Sequence, residues 1–306
     1  MKYLERKWQT LKVTESGVRM KTYEFDMNAI VNNYSFKKEK PLLKMIMLGI
    51  LAGAFVAIGA ASSNMATHAI TNVGLAKTLA GCIFPVGLIM IVFIGGELFT
   101  GDCMMVFGTL DRRYSFLSIF PTLAVVYLSN LIGGLIIAML VSTSGQFHYT
   151  EGLLGAYTIK VACGKVGLHF WEAFSSGILC NILVCVAVLM AAAAKDITGK
   201  IALIFFPIFV FVIGGYEHCV ANMYYISAGI FASFNPAYTQ KAMDTYGITS
   251  AQIESLKSMD ILTHNLIPVT LGNIVGGMLF VTIPLYVIYK SRIIKNSDKP
   301  EIIKVS

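Results

Sequence analysis

Charge is scarce in this chain: Asp, Glu, Lys and Arg supply 13% of its 306 residues, whereas hydrophobic side chains supply 56%. With a mean hydropathy of +0.70 it is not an ordinary soluble globular domain. The early apolar core of a secretory signal is lacking as well, because Lys2, Arg6, Lys7, Lys12, Arg19, Lys21, Lys37, Lys38 and Lys40 stud the N-terminal region. The first membrane span would act as its own insertion signal. The six cysteines (82, 103, 163, 180, 185 and 219) form no Cys-x-x-Cys pair and no metal-ligand spacing, so they read as buried free thiols. His-x-x-x-His and Gly-x-Ser-x-Gly are both missing, which argues against an integral-membrane enzyme. The net charge of +7 sits mostly in the flanks and leaves no compact basic domain, so no nucleic-acid partner is expected. Nothing calls for a metal or a cofactor.

What the chain does have is apolar length. A span needs about 20 largely apolar residues, and six stretches qualify: roughly 42 to 62, 78 to 108, 114 to 142, 168 to 194, 201 to 231 and 263 to 289. The second and fifth are too long for one straight helix, as broken helices would be. Both tails are basic, the second through Lys290, Arg292, Lys295, Lys299 and Lys304, and an even span count puts them on one side. By the positive-inside rule that side is the cytoplasm, where Asp111-Arg112-Arg113 and the loop from Lys195 to Lys200 also fall. The expected organisation is a cytoplasmic segment 1–40, a six-span domain 41–290 in the plasma (inner) membrane, and a cytoplasmic tail 291–306. Tyr23, Phe25, Met27, Ile30 and Val31 give the first segment enough apolar content for an interfacial helix, with a solvated tail as the alternative. Pro41 opens the first span, whose Gly49, Gly53 and Ala57 form a stripe permitting close helix approach.

Three echoes recur in the same order in both halves. Gly49-Ile50-Leu51-Ala52-Gly53 matches Gly177-Ile178-Leu179-Cys180-Asn181. Gly95-Gly96 with Glu97 matches Gly214-Gly215 with Glu217, and Asn130-Leu131-Ile132-Gly133-Gly134 matches Asn273-Ile274-Val275-Gly276-Gly277. Three spans per unit make the halves (about 41–142 and 168–290) an inverted repeat, in which Gly-interrupted segments at matching positions point to the site. The fifth span carries the ionisable pair Glu217-His218 in an otherwise apolar run, and such groups in a membrane are normally functional. Glu97 reads as an acid that ties down loop amides or bridges to a neighbouring helix, rather than as a substrate contact. The stretch 143–167 reads as a Gly-rich outer loop carrying Lys160 and Lys165; a lysine near a span end reads first as an interfacial anchor, with the alternative that Lys165 raises the local anion concentration at a mouth. In the outer loop 232–262, Asn235-Pro236-Ala237 reads as a turn and Thr249-x-x-Gln252 as a capping box opening a short helix.

Gly177 to Ala187, Gly95-Gly96-Glu97-Leu98-Phe99-Thr100-Gly101, and Glu217-His218 with Ala221-Asn222-Met223 resemble the signatures of the formate/nitrite transporter family. The likeness runs from about residue 20 to 290 and lies nearest the family's hydrosulfide ion channel members. It implies an all-α integral membrane fold of six helices, aquaporin-like in arrangement without related sequence. It further implies a homopentamer with one pore per protomer, passing small monovalent anions, with hydrosulfide favoured over formate and nitrite. Carried over by position, Leu88, Leu98 and Phe211 are apolar constrictions, and Thr100 and His218 are polar groups between them. Asn181 and Val184 line the pore, Lys165 attracts anions, and Glu97, Glu217 and Asn222 organise the loops. Two inward-pointing helix N-termini would favour anions over cations, and His218 would offer a titratable donor. A proton-coupled formate/nitrite carrier of the same fold is the alternative.

Overall fold

In the computed structural model, which describes residues 26–297, α1 (Met27–Lys38) starts at Asp26, whose carboxylate accepts the Ala29 N–H at 3.0 Å. Its Met27, Ile30, Val31 and Tyr34 share one helical face and are buried against the protein, so the helix is docked and not a solvated tail. Tyr23 and Phe25 lie outside the described residues. α2 (Leu42–Thr67) follows Pro41. The return leg is α3 (Val73–Ile83), capped by the Asn72 side chain at Leu75 N, and α4 (Val86–Ile94). Pro85 separates the two because it has no N–H to donate and its ring crowds the preceding turn. This span begins at Val73 and not near 78, because a lysine close to a span end, here Lys77, can carry its charge out of the apolar layer.

After α4 come α5 (Phe99–Asp102), a short 3-10 turn, α6 (Val106–Leu110) and the third span, α7 (Phe120–Thr143). The expected outer loop 143–167 is instead largely helical: α8 (Tyr149–Val166) packs against later elements. Two of its glycines serve contact: a Cβ on Gly155 would press into the Tyr238 ring at 2.7 Å, and one on Gly152 would reach it at 3.0 Å. α9 (Phe170–Ala193), α10 (Ile197–Gly214), α11 (Cys219–Ser233), α12 (Pro236–Tyr246) and α13 (Ser250–Ser255) follow. Asn235-Pro236-Ala237 is therefore a helix start: Asn235 Oδ1 accepts the Ala237 N–H at 3.0 Å, and Pro236 occupies the first turn. The Thr249–Gln252 capping box opens α13 as expected. α14 (Ile267–Val275) and α15 (Ile283–Ser297), with two π-helical stretches, make the sixth span, Ile261–Lys290.

The halves repeat with inverted direction. α2 packs on α7 in the first and α9 on α14 in the second. A methyl group on Gly53 would overlap the Asn130 carbonyl, and one on Gly133 the Ile50 carbonyl; on Gly276 it would overlap the Ile178 carbonyl. Small residues thus let the helix backbones touch at matching places, which supplies the packing that drives helix association in lipid. Asp111, in the loop before α7, accepts from Lys290 at 2.7 Å and Arg113 at 3.0 Å, so this basic loop lies on the same face as the end of the sixth span.

Candidate functional site

The second and fifth spans break in the same way. Gly95 (φ 80°) caps α4 and Gly215 (φ 67°) caps α10, both in the left-handed conformation that glycine adopts at little cost. The structural register therefore pairs Gly95 with Gly215, one residue off the Gly214 pairing drawn from sequence, because Gly214 still ends α10. Leu98 and His218 then occupy equivalent extended positions before α5 and α11. One asparagine staples each break. Asn130 Oδ1 accepts the Phe99 N–H at 3.0 Å while its Nδ2 donates to Gly49 O and Glu97 O at 2.8 and 2.9 Å. Asn273 repeats this with Cys219 N–H, Gly177 O and Glu217 O at 2.9, 2.8 and 2.9 Å. Non-helical backbone at membrane depth requires such partners.

A lysine-bound acid flanks each break. Near the terminal face, Lys37 of α1 donates to Glu97 and Asp102 at 2.6 Å each, and Lys40 also pairs with Glu97. Burial, then the neighbouring Lys37, pull the Lys40 pKa below the ordinary lysine value against an opposing pull from Asp102. On the opposite side, Lys165 donates to Glu217 at 2.5 Å, and Glu217 also accepts from Asn222 at 2.7 Å and Asn265 at 3.3 Å.

Between the breaks, Thr100 Oγ1 and His218 Nε2 meet at 3.0 Å, both buried. His218 Nδ1 accepts the Ala221 N–H at 3.1 Å and so caps α11. An accepting Nδ1 has no proton, which leaves the neutral Nε2–H tautomer donating to Thr100. The sequence suggested a group free to titrate, yet protonating Nδ1 would set two donors face to face and cost the cap. The expected free helix N-termini are also partly spent, since Phe99, Cys219 and Ala221 give their N–H groups to Asn130, Asn273 and His218.

A cavity of about 570 Å³ opens on the Lys165 side and reaches Phe84, Phe211 and His218. Phe84 and Phe211 meet edge to face at 5.5 Å, and Phe211 lies 6.0 Å from the His218 ring. Lys77, Lys160 and Lys165 line the wall, and among the described residues no Asp or Glu does. Leu88 and Leu98 are buried nearby in sequence, Leu88 one turn along from Phe84. Val184 is buried, and Asn181, expected to line the pore, is fully buried with its amide spent on Thr100 O at 3.1 Å and Asn273 O at 2.6 Å. Neither lines this cavity. Sequence reasoning missed Phe84 as the partner of Phe211, Lys37 and Asn265 as partners of the acids, and Asn130 and Asn273 as staples, although the asparagines were visible in the repeat. Among the described residues no cluster of His, Cys, Asp and Glu could hold a metal ion.

Among the described residues, six apolar spans in an inverted repeat, two stapled breaks and a cation-lined cavity ending at an aromatic and imidazole floor define the architecture of a membrane transport protein. The model of the formate/nitrite transporter family matches residues 24–287, and the chain belongs to that family. It is 39% identical over 263 residues to a probable formate transporter of Methanothermobacter thermautotrophicus, covering 80% of this chain and 88% of that protein. It is 37% identical over 250 residues to the formate channel FocA of Haemophilus influenzae, covering 80% and 87%. Among solved structures, a pentameric formate channel with formate bound superposes with a TM-score of 0.71 at 33% identity, covering 81% of this chain and 98% of that one. An FNT family ion channel does so with a TM-score of 0.71 at 26% identity, covering 86% and 98%.

Proposed function

We propose that this chain conducts small monovalent anions, formate foremost, through one passage in each subunit of a homopentamer in the plasma membrane, with both termini cytoplasmic. The observation that carries the reading is the buried Thr100–His218 pair between the two breaks, behind the Phe84–Phe211 contact. A bare anion loses its hydration in so narrow and apolar a place, which is costly unless hydrogen-bond donors replace the water. The His218 Nε2–H and the Thr100 hydroxyl are such donors, and an arriving anion would compete for the bond they make with each other. Leu88 and Leu98 would form the second apolar constriction, and Glu97, Glu217 and Asn222 would hold the breaks in place.

The relatives named for formate support formate, while no residue at the site supports a preference for hydrosulfide. Capping by Nδ1 favours a channel over a proton-coupled carrier, because the imidazole donates hydrogen bonds in that state without exchanging protons. The pentamer rests on the likeness to the pentameric formate channel, and cytoplasmic termini on the basic flanks. Reconstituted liposomes challenged with formate, nitrite, hydrosulfide and glycerol at two pH values test the reading. Formate flux should be competed by the other two anions and untouched by glycerol. Glycerol permeation would point to a neutral-solute channel, and uphill formate uptake driven by a proton gradient to the carrier.

A further inference from the structure

The cation that sequence singled out at the mouth is held in an ion pair, whereas two other lysines of the cavity wall, Lys77 and Lys160, are in none among the described residues. Lys165 is answered by Glu217 at 2.5 Å. Lys160 lies over the rings of Tyr157 and Tyr246 at 5.5 and 4.7 Å. Lys77 lines the same cavity, is exposed, and makes no ion pair with an acid among the described residues. Its ammonium sits against the cap of α10, where a Cβ on Gly215 would come within 2.9 Å of Nζ. That is the carbonyl end of an 18-residue helix, where the macrodipole favours a cation. Asn64 lies on the wall of the same cavity, only 6% exposed, and its amide nitrogen has no hydrogen-bond partner. Buried donors are almost always satisfied, and one left over beside a cavity indicates a missing acceptor. Ser63, next to Asn64, donates to Ala80 O at 3.4 Å, tying α2 to the helix that carries Lys77.

We propose that Lys77 and Asn64 form an anion-holding site on the cavity wall, ahead of the Phe84–Phe211 contact, for a small monovalent anion such as formate. The proposal rests on reading the cavity as an anion passage. A lysine near a span end often serves only as an anchor to lipid headgroups; Lys77 instead shares a cavity with two other lysines and, among the described residues, no lining acid. An unpaired ammonium concentrates anions where low-dielectric walls focus its field, and the Asn64 amide supplies a directional donor.

The test uses full-length protein in detergent with formate as the probe, its binding measured by saturation-transfer NMR, and liposome flux measured separately. Lys77→Met should weaken formate binding by about 3- to 30-fold, the range for one charge several ångströms away in a partly screened cavity. Lys77→Arg should keep most of the binding, and Asn64→Leu should weaken it by roughly threefold, as loss of one modest hydrogen bond would. Lys257→Gln removes the same charge from a surface pair with Glu254 and should leave binding unchanged. Binding by Lys77→Met and Asn64→Leu within about twofold of wild type, equal weakening by Lys257→Gln, or no formate binding at all overturns the site. If the binding shifts occur but wild-type liposomes carry no formate, the transport reading fails and the site stands. If flux is normal and Lys77→Met changes nothing, the reverse holds.

Discussion

Replacing Asn273 with leucine tests the stapled break directly. The substitution nearly conserves volume but removes three hydrogen bonds, to Cys219 N, Gly177 O and Glu217 O, at a position with 0% exposure. If each bond carried the average for interhelical side-chain bonds in membranes, about 0.6 kcal/mol, the loss would total about 2 kcal/mol. Leucine also leaves buried backbone groups without partners, and each orphan costs about 1–3 kcal/mol. Gly177 O keeps its helical partner within α9, so the Cys219 N–H and the Glu217 carbonyl are the two orphans, giving roughly 2–6 kcal/mol and a melting temperature lower by about 10 °C in detergent. Formate flux should fall as well, because the Glu217 carbonyl released by the change lies one residue before His218. Asn273→Asp keeps the acceptor for Cys219 N–H but turns a carboxylate toward two carbonyls, so it should do no better than leucine. Asn130→Leu, at the matching position, should cost a similar amount. An Asn273→Leu protein that melts within about 2 °C of wild type and conducts normally would refute the reasoning.

His218→Asn preserves an oxygen able to cap Ala221 N–H but cannot reproduce the imidazole Nε2–H, so stability should stay within about 1 kcal/mol while flux drops. His218→Phe should lose both, and unchanged flux and pH profile in that variant would remove the histidine from the mechanism. Lys165→Met strands a buried carboxylate and should destabilise by about 3 kcal/mol, while adding Glu217→Gln should recover part of that loss. Simple additivity in that double-mutant cycle would show the pair is not coupled. At the terminal face, burial pushes the Asp111 pKa up, but hydrogen bonds from Lys290, Arg113 and Tyr286 outweigh it and hold the carboxyl below its usual range. A depressed carboxylate contributes stability that is present above its unfolded pKa and is lost as pH falls through the folded one, here below about 4. Asp111→Asn should therefore flatten the acid limb of a thermal-melt series, and an identical limb would exclude the clasp.

Much of the architecture is legible in the sequence because lipid leaves few solutions: apolar length gives the spans, and the double glycines give the breaks. Legibility fails where a residue's partner is remote in the chain. Lys37 is 60 residues from Glu97, so nothing local distinguishes it from the other basic residues of its segment. The α8 helix was hidden because glycine weakens helix propensity in isolation, whereas here Gly155 and Gly229 admit Tyr238 and Ala162 into close contact. His218 was recognisable as a buried imidazole, but its tautomer depends on a cap formed only once the break has placed its ring over Ala221 N–H.

The break register explains how a near-symmetric scaffold makes an asymmetric site. With Gly95 set against Gly215, the residues that repeat are those that build the breaks: the two glycines, Glu97 with Glu217, and Asn130 with Asn273. The chemistry lies where the repeat fails. Leu98 stands opposite His218 in the register, Thr100 opposite Val220, and Asp102 opposite Asn222. The Thr100–His218 bond joins one residue from each of two mismatched positions, so a strictly symmetric chain could not make it with the same pair. A symmetric copy of the first half would put leucine at the imidazole's place and leave the passage without that donor. One of the second half would place imidazoles at both caps and lose the hydroxyl. Identity between the halves thus marks the scaffold, and divergence at register-matched positions marks the proposed transport path, which is why aligning by one residue more or less decides whether the Thr100–His218 pair is seen as such.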